Sequence, residues 1–199
     1  MRISRVIATS AAALALIAGS TAAAQAAGTA PTTETVPASG TFSFTTANGI
    51  LPTWAAEDIV LVGVSPGSVV TASSNLTARV RVPIIAKTGS ANAAAGGFRL
   101  INTTTGANVR CSNPTIDTRA RVVDCVLASG TNARLFRIVN IKTRSLVTGA
   151  STVTAIYRGV QLRINGQVQA DYLNEALSTT AFSPYVTVGT GDLVVTRDR

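Results

Sequence analysis

The chain has 199 residues, of which 46% are apolar and only 13% are charged, and its formal net charge is +8. It contains two cysteines and no histidine. These counts exclude serine and cysteine hydrolases that depend on a histidine base, histidine-based zinc sites, and metal sites made of four thiolates. The high apolar fraction also excludes a chain that is disordered throughout.

Residues 1–26 have the three-part organisation of a secretory signal peptide. Two arginines lie among the first five residues, residues 6–19 form an apolar run, and Ala24 and Ala26 are the small residues that a signal peptidase recognises. The apolar run is short for a membrane-spanning helix, which needs about 20 residues. We therefore expect a Sec-type signal peptide, a protein secreted to the cell surface or the medium, and no transmembrane segment in the mature chain.

Residues 27–40 are rich in Thr, Ala, Pro and Gly, and we interpret them as a flexible lead-in. From residue 41 onward apolar residues alternate with polar ones, as at Val80, Val82 and Ile84. This alternation is typical of half-buried strands. Turn-forming residues separate the strands, and Asn165-Gly166 is the strongest hairpin signal among them.

A chain of many short strands is typical of a sandwich or a barrel. We predict an all-β fold: a mostly antiparallel β-sandwich, immunoglobulin-like or related, formed by residues 41–199 as one domain. Two short stretches are predicted to be helical, Thr53–Asp58 and Asp171–Thr180, and Asp171 is the expected N-cap of the second.

The two cysteines, Cys111 and Cys125, predict one disulfide. The intervening sequence begins with a turn and continues as a strand, so the bridge would join two neighbouring strands. A loop of this length is stabilised by about 3 kcal/mol in the chain-entropy model. The alternative is a redox-active pair, but the spacing is not that of a Cys-x-x-Cys motif.

Residues 63–67 match the Gly-x-Ser-x-Gly motif of a hydrolase, but the residue after the serine is Pro66. Because proline has no N–H to offer an oxyanion, a turn is the better interpretation. Catalysis would then need paired carboxylates. The candidate pairs lie at residues 57–58 and at Asp171 and Glu175, and solvation or helix capping accounts for both equally well. We predict that the protein is not an enzyme, with a carboxylate-only hydrolase as an alternative.

Positive charge is concentrated between residues 79 and 163, where 13 basic residues accompany only two acidic ones. Arginine presents a planar fork that suits carboxylate, phosphate and sulfate groups. The candidate anion-binding face comprises Arg79, Arg81, Arg99, Arg137 and Arg163. An anionic cell-wall or matrix polymer is the expected partner, whereas a solubilising outer surface is the alternative. Nucleic acid is not expected, because the chain has few aromatic residues on which bases could stack.

Three motifs follow one another along the chain: Gly-Gly-Phe-Arg-Leu at residues 96–100, Asn-Pro-x-Ile-Asp at residues 113–117, and a late predicted helix followed by Ala181-Phe182. In this order they resemble small secreted β-rich actinobacterial proteins related to the HtaA haem-uptake domain. The resemblance covers residues 41–196 and implies haem bound through a tyrosine with a supporting histidine. This chain has no histidine, and its three tyrosines do not match the motif position: Tyr157, Tyr172 and Tyr185. Haem binding is therefore not carried over from the resemblance.

These observations predict an exported, non-catalytic binding or structural module, with a haem-like small-ligand carrier as a further alternative. We expect no bound metal or cofactor, and self-association is left open. Three structural features would distinguish an enzyme, a small-ligand carrier and a binding module. A deep pocket with two converging carboxylates would favour an enzyme. An apolar slot with a tyrosine at its floor would favour a carrier. A flat arginine-rich sheet without a pocket would favour a binding module.

Overall fold

The computed structural model describes residues 34–72 and 74–199. The predicted signal peptide, and the predicted lead-in up to residue 33, lie outside this range. The described part of the chain forms twelve strands and two helices. In chain order they are β1 (Thr35–Thr46), α1 (Ile50–Ala55), β2 (Ile59–Val64), β3 (Ser68–Thr71), β4 (Ala78–Thr88), β5 (Ala91–Ala94), β6 (Gly97–Asn102), β7 (Asn108–Asp117), β8 (Val122–Val126), β9 (Asn132–Asn140), β10 (Thr143–Thr148), β11 (Thr152–Ile164), α2 (Gln167–Leu177) and β12 (Thr187–Asp198).

Eight of the strands close into an antiparallel barrel. The order around the barrel is β7, β5, β4, β1, β12, β11, β9 and β8, and β8 pairs again with β7. The predicted β-sandwich is therefore wrong, although the all-β class and the antiparallel pairing are confirmed. Alternation along a strand sets which side chains face inward, but it does not decide whether a sheet closes on itself. Closure here depends on pairing between Asp117 and Val122 and their neighbours, on either side of one turn.

Four strands lie outside this ring. β6 pairs with β7 and β2 pairs with β6, so the sheet continues beyond the barrel on that side. β3 pairs with the beginning of β4, and β10 pairs with the beginning of β11.

Side chains fill the interior of the barrel. Inward-facing residues alternate along each strand, as do Val80, Val82 and Ile84 on β4, all of which are buried. Four phenylalanine rings contact one another in a chain of tilted or edge-to-face pairs with centroid separations of 5.8 to 6.0 Å: Phe42, Phe44, Phe98 and Phe136. The cavities left between these side chains hold only about 10 Å³ each. The interior is therefore a packed core, with no room for a ligand.

The predicted disulfide between Cys111 and Cys125 is confirmed. The bond joins β7 to β8, its Cα atoms are 4.8 Å apart, and both residues are buried. The bridge thus reinforces the strand pair that closes the barrel. A disulfide is also compatible with an exported protein.

The helix positions differ from the predictions. The first helix begins at Ile50 and ends at Ala55, three residues earlier than predicted. The second helix begins at Gln167, so Asp171 lies inside it and is not its N-cap. Asn165-Gly166 does not form a hairpin, because Gly166, at φ 111°, directly precedes this helix. Neither helix in the described ranges is long and apolar enough to cross a membrane.

Candidate functional site

A cleft of about 740 Å³ lies at one end of the barrel. At this end β4 and β7 finish and β11 begins. Its lining combines two kinds of residue. Five are basic: Lys87, Arg119, Arg121, Arg144 and Arg197. Six are apolar or aromatic: Ile141, Leu146, Val153, Ala155, Tyr157 and Val195. The lining of the cleft is therefore partly apolar and strongly electropositive.

One wall of the cleft is the sheet in which β10 pairs with the beginning of β11, beside the end of β12. We call it the rim sheet; it comprises β10, residues 152–158 of β11 and residues 193–198 of β12. Its β12 segment also pairs with β1 and so belongs to the barrel wall. Leu146 pairs with Ala155, and Ala155 pairs with Val195, so these three side chains form a row across the sheet. All three line the cleft, and their exposure falls along the row from Leu146, at 66%, through half-buried Ala155 to buried Val195.

Tyr157 lies beside this row, on the side nearer the barrel. Its side chain is buried, and its cross-strand neighbour Arg144 holds its guanidinium carbon 5.3 Å from the centre of the ring. A guanidinium over a tyrosine face is attracted to the ring electrons, typically by about 0.5 to 1 kcal/mol at a partly exposed site. This contact places Arg144 over the tyrosine while its N–H groups remain available for an acidic group.

The opposite wall is the turn between β7 and β8, which carries Arg119 and Arg121. Asp117 organises this turn, since one carboxylate oxygen accepts hydrogen bonds of 2.8 Å each from the Ser90 hydroxyl and from the backbone N–H groups of Arg119 and Ala120. Partial burial of Asp117 would raise its pKa, but these hydrogen bonds and the nearby Lys87 charge outweigh burial and leave the pKa below its ordinary value. The carboxylate is thus held ionised as a support for the wall.

Neighbouring acids offset only part of the positive charge in the cleft, since Asp117 lies near Lys87 behind one wall. No carboxylate lines the cleft within the described ranges. The ion pairs found in the same ranges join Arg134 to Asp124 and Arg158 to Asp192, and neither includes a cleft residue. The five basic side chains therefore create an electropositive concavity, which raises the local concentration of anions.

The five arginines predicted as an anion-binding face lie away from the cleft. Arg79 and Arg81 project from β4, whose alternate residues are exposed. Arg137 on β9 pairs directly with Arg163 on β11, farther around the barrel wall. Arg99 lies on β6, outside the ring, opposite Arg110. The structure does not gather the five residues into one patch, and their role in binding stays a prediction.

The carboxylates considered for catalysis hold neighbouring elements together. Glu57 accepts hydrogen bonds from the hydroxyls of Thr179 and Thr180, and Asp58 accepts one of 2.7 Å from Thr104. Asp171 accepts one of 2.7 Å from Gln167, within the same helix. Over residues 34–72 and 74–199, no group of three or more acidic or cysteine side chains is placed to hold a metal ion.

Sequence reasoning missed the cleft, because its basic residues come from four separate parts of the chain. A partial signal was present: Arg144 and Leu146 are two residues apart in a strand-like segment and so share a face. What the sequence does not show is that this face meets the turn at residues 118–121. Only closure of the barrel brings the two walls together.

Comparisons with known proteins give one structural likeness. No protein-family model matches the chain, and no curated protein matches it. The chain is similar to the crystal structure of the haem-binding protein HtaB from Corynebacterium glutamicum. The likeness has 12% sequence identity and a TM-score of 0.49, and it covers 83% of this chain and 98% of that one.

Proposed function

We propose that this protein is a non-catalytic carrier that binds a small amphipathic anion in the cleft beside the rim sheet. The ligand class is a molecule with an apolar body and one or more carboxylate, phosphate or sulfate groups. The observation that carries the proposal is the apolar row of Leu146, Ala155 and Val195 enclosed by five basic side chains.

Each part of such a ligand has a matching part of the cleft. The apolar body covers the exposed part of the row, Leu146 and Ala155, and removes that surface from water, which contributes about 25 cal/mol per Å² of apolar area. The acidic group meets arginines whose forked N–H groups make charge-assisted hydrogen bonds. The volume of about 740 Å³ is within the usual size of small-molecule sites.

The geometry favours the carrier over the other classes that the sequence left open. The cleft has a tyrosine and an apolar row in its lining, whereas no carboxylate of residues 34–72 and 74–199 lines it. Haem belongs to the proposed ligand class, because its ring is apolar and carries carboxylates. Haem is therefore one of the probes. Tyr157 is the tyrosine in the cleft lining, and its phenol oxygen would be the ligand of the haem iron.

A second candidate function is the predicted binding of an anionic polymer at the barrel wall. One observation favours it: Arg137 and Arg163 lie directly opposite each other on neighbouring strands. Like charges in that arrangement destabilise a sheet. An anionic group bridging the two would relieve the repulsion, and this site is separate from the cleft.

Calorimetric titration of the purified protein tests the carrier proposal. The probes are oleate, haem, acetate as an acid without an apolar body, and an uncharged detergent below its micellar concentration. We expect oleate or haem to bind more tightly than acetate or the detergent, and we expect affinity to fall as salt rises. Failure of both oleate and haem to bind at low salt would overturn the proposal.

Two matched double variants locate the binding site. Arg144→Gln with Arg197→Gln removes two cleft charges, and we expect about a tenfold loss of affinity for each charge-assisted contact that is lost. Arg79→Gln with Arg81→Gln removes the same number of charges from the outer wall of β4 and should leave the affinity unchanged. Equal losses in the two variants would show a diffuse charge effect and would contradict a site in the cleft.

A further inference from the structure

The outermost strand of the rim sheet has an unpaired edge. β10 pairs with β11, and no other strand in the described ranges pairs with it. All six of its residues are exposed, including Leu146 at 66% and Val147 at 55%. Natural edge strands are usually protected by a charged side chain, a proline, a bulge or a covering segment. Residues 143–148 contain no proline, their pairing with β11 has no register shift, and their one charged side chain, Arg144, lies over the Tyr157 ring.

The direction of the free backbone groups follows from the turn at the end of this strand. Gly149 donates its N–H to the carbonyl of Thr152, so these two opposite residues form a hydrogen-bonded pair. Hydrogen-bonding direction alternates along an antiparallel strand. Residues 147, 145 and 143 therefore point their backbone groups toward β11, whereas Arg144, Leu146 and Thr148 point theirs toward the open edge.

We propose that β10 pairs antiparallel with β10 of a second copy of this chain, about a two-fold axis at Leu146. This register places Leu146 opposite Leu146 and Arg144 opposite Thr148 of the other copy. It uses all three outward-pointing residues of each strand and gives about six backbone hydrogen bonds. The inference rests on the edge geometry of β10 and not on the carrier function.

The sequence of the strand favours a second copy over an unrelated strand. A two-fold axis relating two antiparallel strands must place opposite each other residues whose backbone groups point in the same sense, either toward the new partner or away from it. The Leu146 axis meets this requirement while keeping each arginine away from its equivalent, so no like charges face each other. On the outer face of the same sheet, Ser145 comes opposite Val147, which covers a second exposed apolar side chain.

Pairing in this register would also change the cleft. Arg144 and Leu146 line it, and both lie on the strand that meets the second copy. Leu146 and Thr148 of the second copy would border the apolar row of the first. The two rim sheets would become one continuous sheet, with the two apolar rows running on from each other.

Sedimentation velocity of the purified protein over a wide concentration range tests the pairing. We expect a concentration-dependent doubling of mass. Because both copies carry a net positive charge, screening should strengthen the dimer as salt rises. This salt dependence is opposite to that expected for anion binding. A protein that stays monomeric at every concentration and salt level would overturn the inference.

Substitutions separate pairing at β10 from other association. Leu146→Lys places two ammonium groups together at the axis and should abolish the dimer. Val70→Lys changes a residue of equal exposure, 66%, on β3 and should leave the dimer intact. A dimer that survives Leu146→Lys, or that is lost equally in both variants, would contradict the proposed register.

Cross-linking supplies a readout that does not depend on charge. The native cysteines are joined to each other, and no free cysteine lies in the described ranges. Leu146→Cys should therefore form an intermolecular disulfide on mild oxidation. Val168→Cys, at a 74% exposed position on α2, is the matched control. Equally fast cross-linking of the two variants would indicate random collision and would exclude pairing at β10.

Discussion

The barrel interior and β10, the outer strand of the rim sheet, have opposite properties. Inside the barrel, Ile138 has no exposed surface, and the remaining cavities hold about 10 Å³ each. On the rim sheet, Leu146 is 66% exposed and faces a cleft of about 740 Å³. The proposed function would thus separate binding, in the cleft beside β10, from stability, which rests on the packed interior of the ring.

The largest difference in the free energy of unfolding is expected between two side-chain truncations, one in the core and one on β10. Ile138→Ala removes side-chain volume from the packed core and should lower the free energy of unfolding by about 2 to 5 kcal/mol. Leu146→Ala removes an exposed side chain and should change it by less than about 0.5 kcal/mol, while weakening oleate binding. Urea denaturation of both variants measures the effect. Similar losses in the two variants would mean that the rim sheet is packed like the core.

Removing the disulfide should have the next largest effect. Replacing both Cys111 and Cys125 by alanine releases a loop of about 15 residues, and we expect the folded state to lose about 3 kcal/mol. The bond lies between β7 and β8, away from the apolar row of the cleft. Oleate affinity measured well below the unfolding midpoint should therefore stay the same. A parallel loss of affinity would show that strand closure also shapes the cleft.

The sequence predicted the strands better than their arrangement. The alternation of Val80, Val82 and Ile84 correctly identified β4 and its inward face. The same alternation cannot distinguish a sandwich from a barrel, because both have one buried face per strand. Alternation also continues into the predicted lead-in: β1 begins at Thr35, and residues 35–37 pair with the end of β4. Threonine, alanine and proline in that segment had indicated a loop.

Local signals failed where the structure uses a residue for another purpose. Asn165-Gly166 is a strong hairpin signal, yet the glycine's positive φ serves the entry into α2. The candidate anion-binding face stays a prediction, and the cleft is a different feature. Arginine enrichment was recognised, but the five residues singled out lie on the barrel wall and on β6, whereas the cleft takes its charge from strand ends and one turn. Strand ends meet only after closure, which the spacing of charges along the chain does not encode.

Asp117 tests how far the basic wall of the cleft depends on local support. Asp117→Ala removes three hydrogen bonds from the turn and should lower the free energy of unfolding by about 1 to 2 kcal/mol. Because the pKa of Asp117 is lowered in the folded protein, its stabilisation is present above its ordinary pKa and is lost as pH falls through the folded value. Acid titration of stability should therefore differ between the wild type and Asp117→Asn. Identical profiles would contradict this role.

The smallest effects are expected at the boundary between the two regions. Pairing between β11 and β12 shifts register between Tyr157 and Val160, where the barrel strands pass into the rim sheet. Asp192 accepts a 3.0 Å hydrogen bond there from the Gly159 N–H and forms an exposed ion pair with Arg158.

Arg158→Gln should cost less than about 0.5 kcal/mol, because exposed ion pairs contribute little. Asp192→Ala should cost about 1 kcal/mol, because a backbone group at the bulge loses its acceptor. Hydrogen exchange at Gly159 measures the difference locally. Faster exchange in Asp192→Ala alone would assign the support of the boundary to this hydrogen bond, whereas equal acceleration in both variants would assign it to the ion pair.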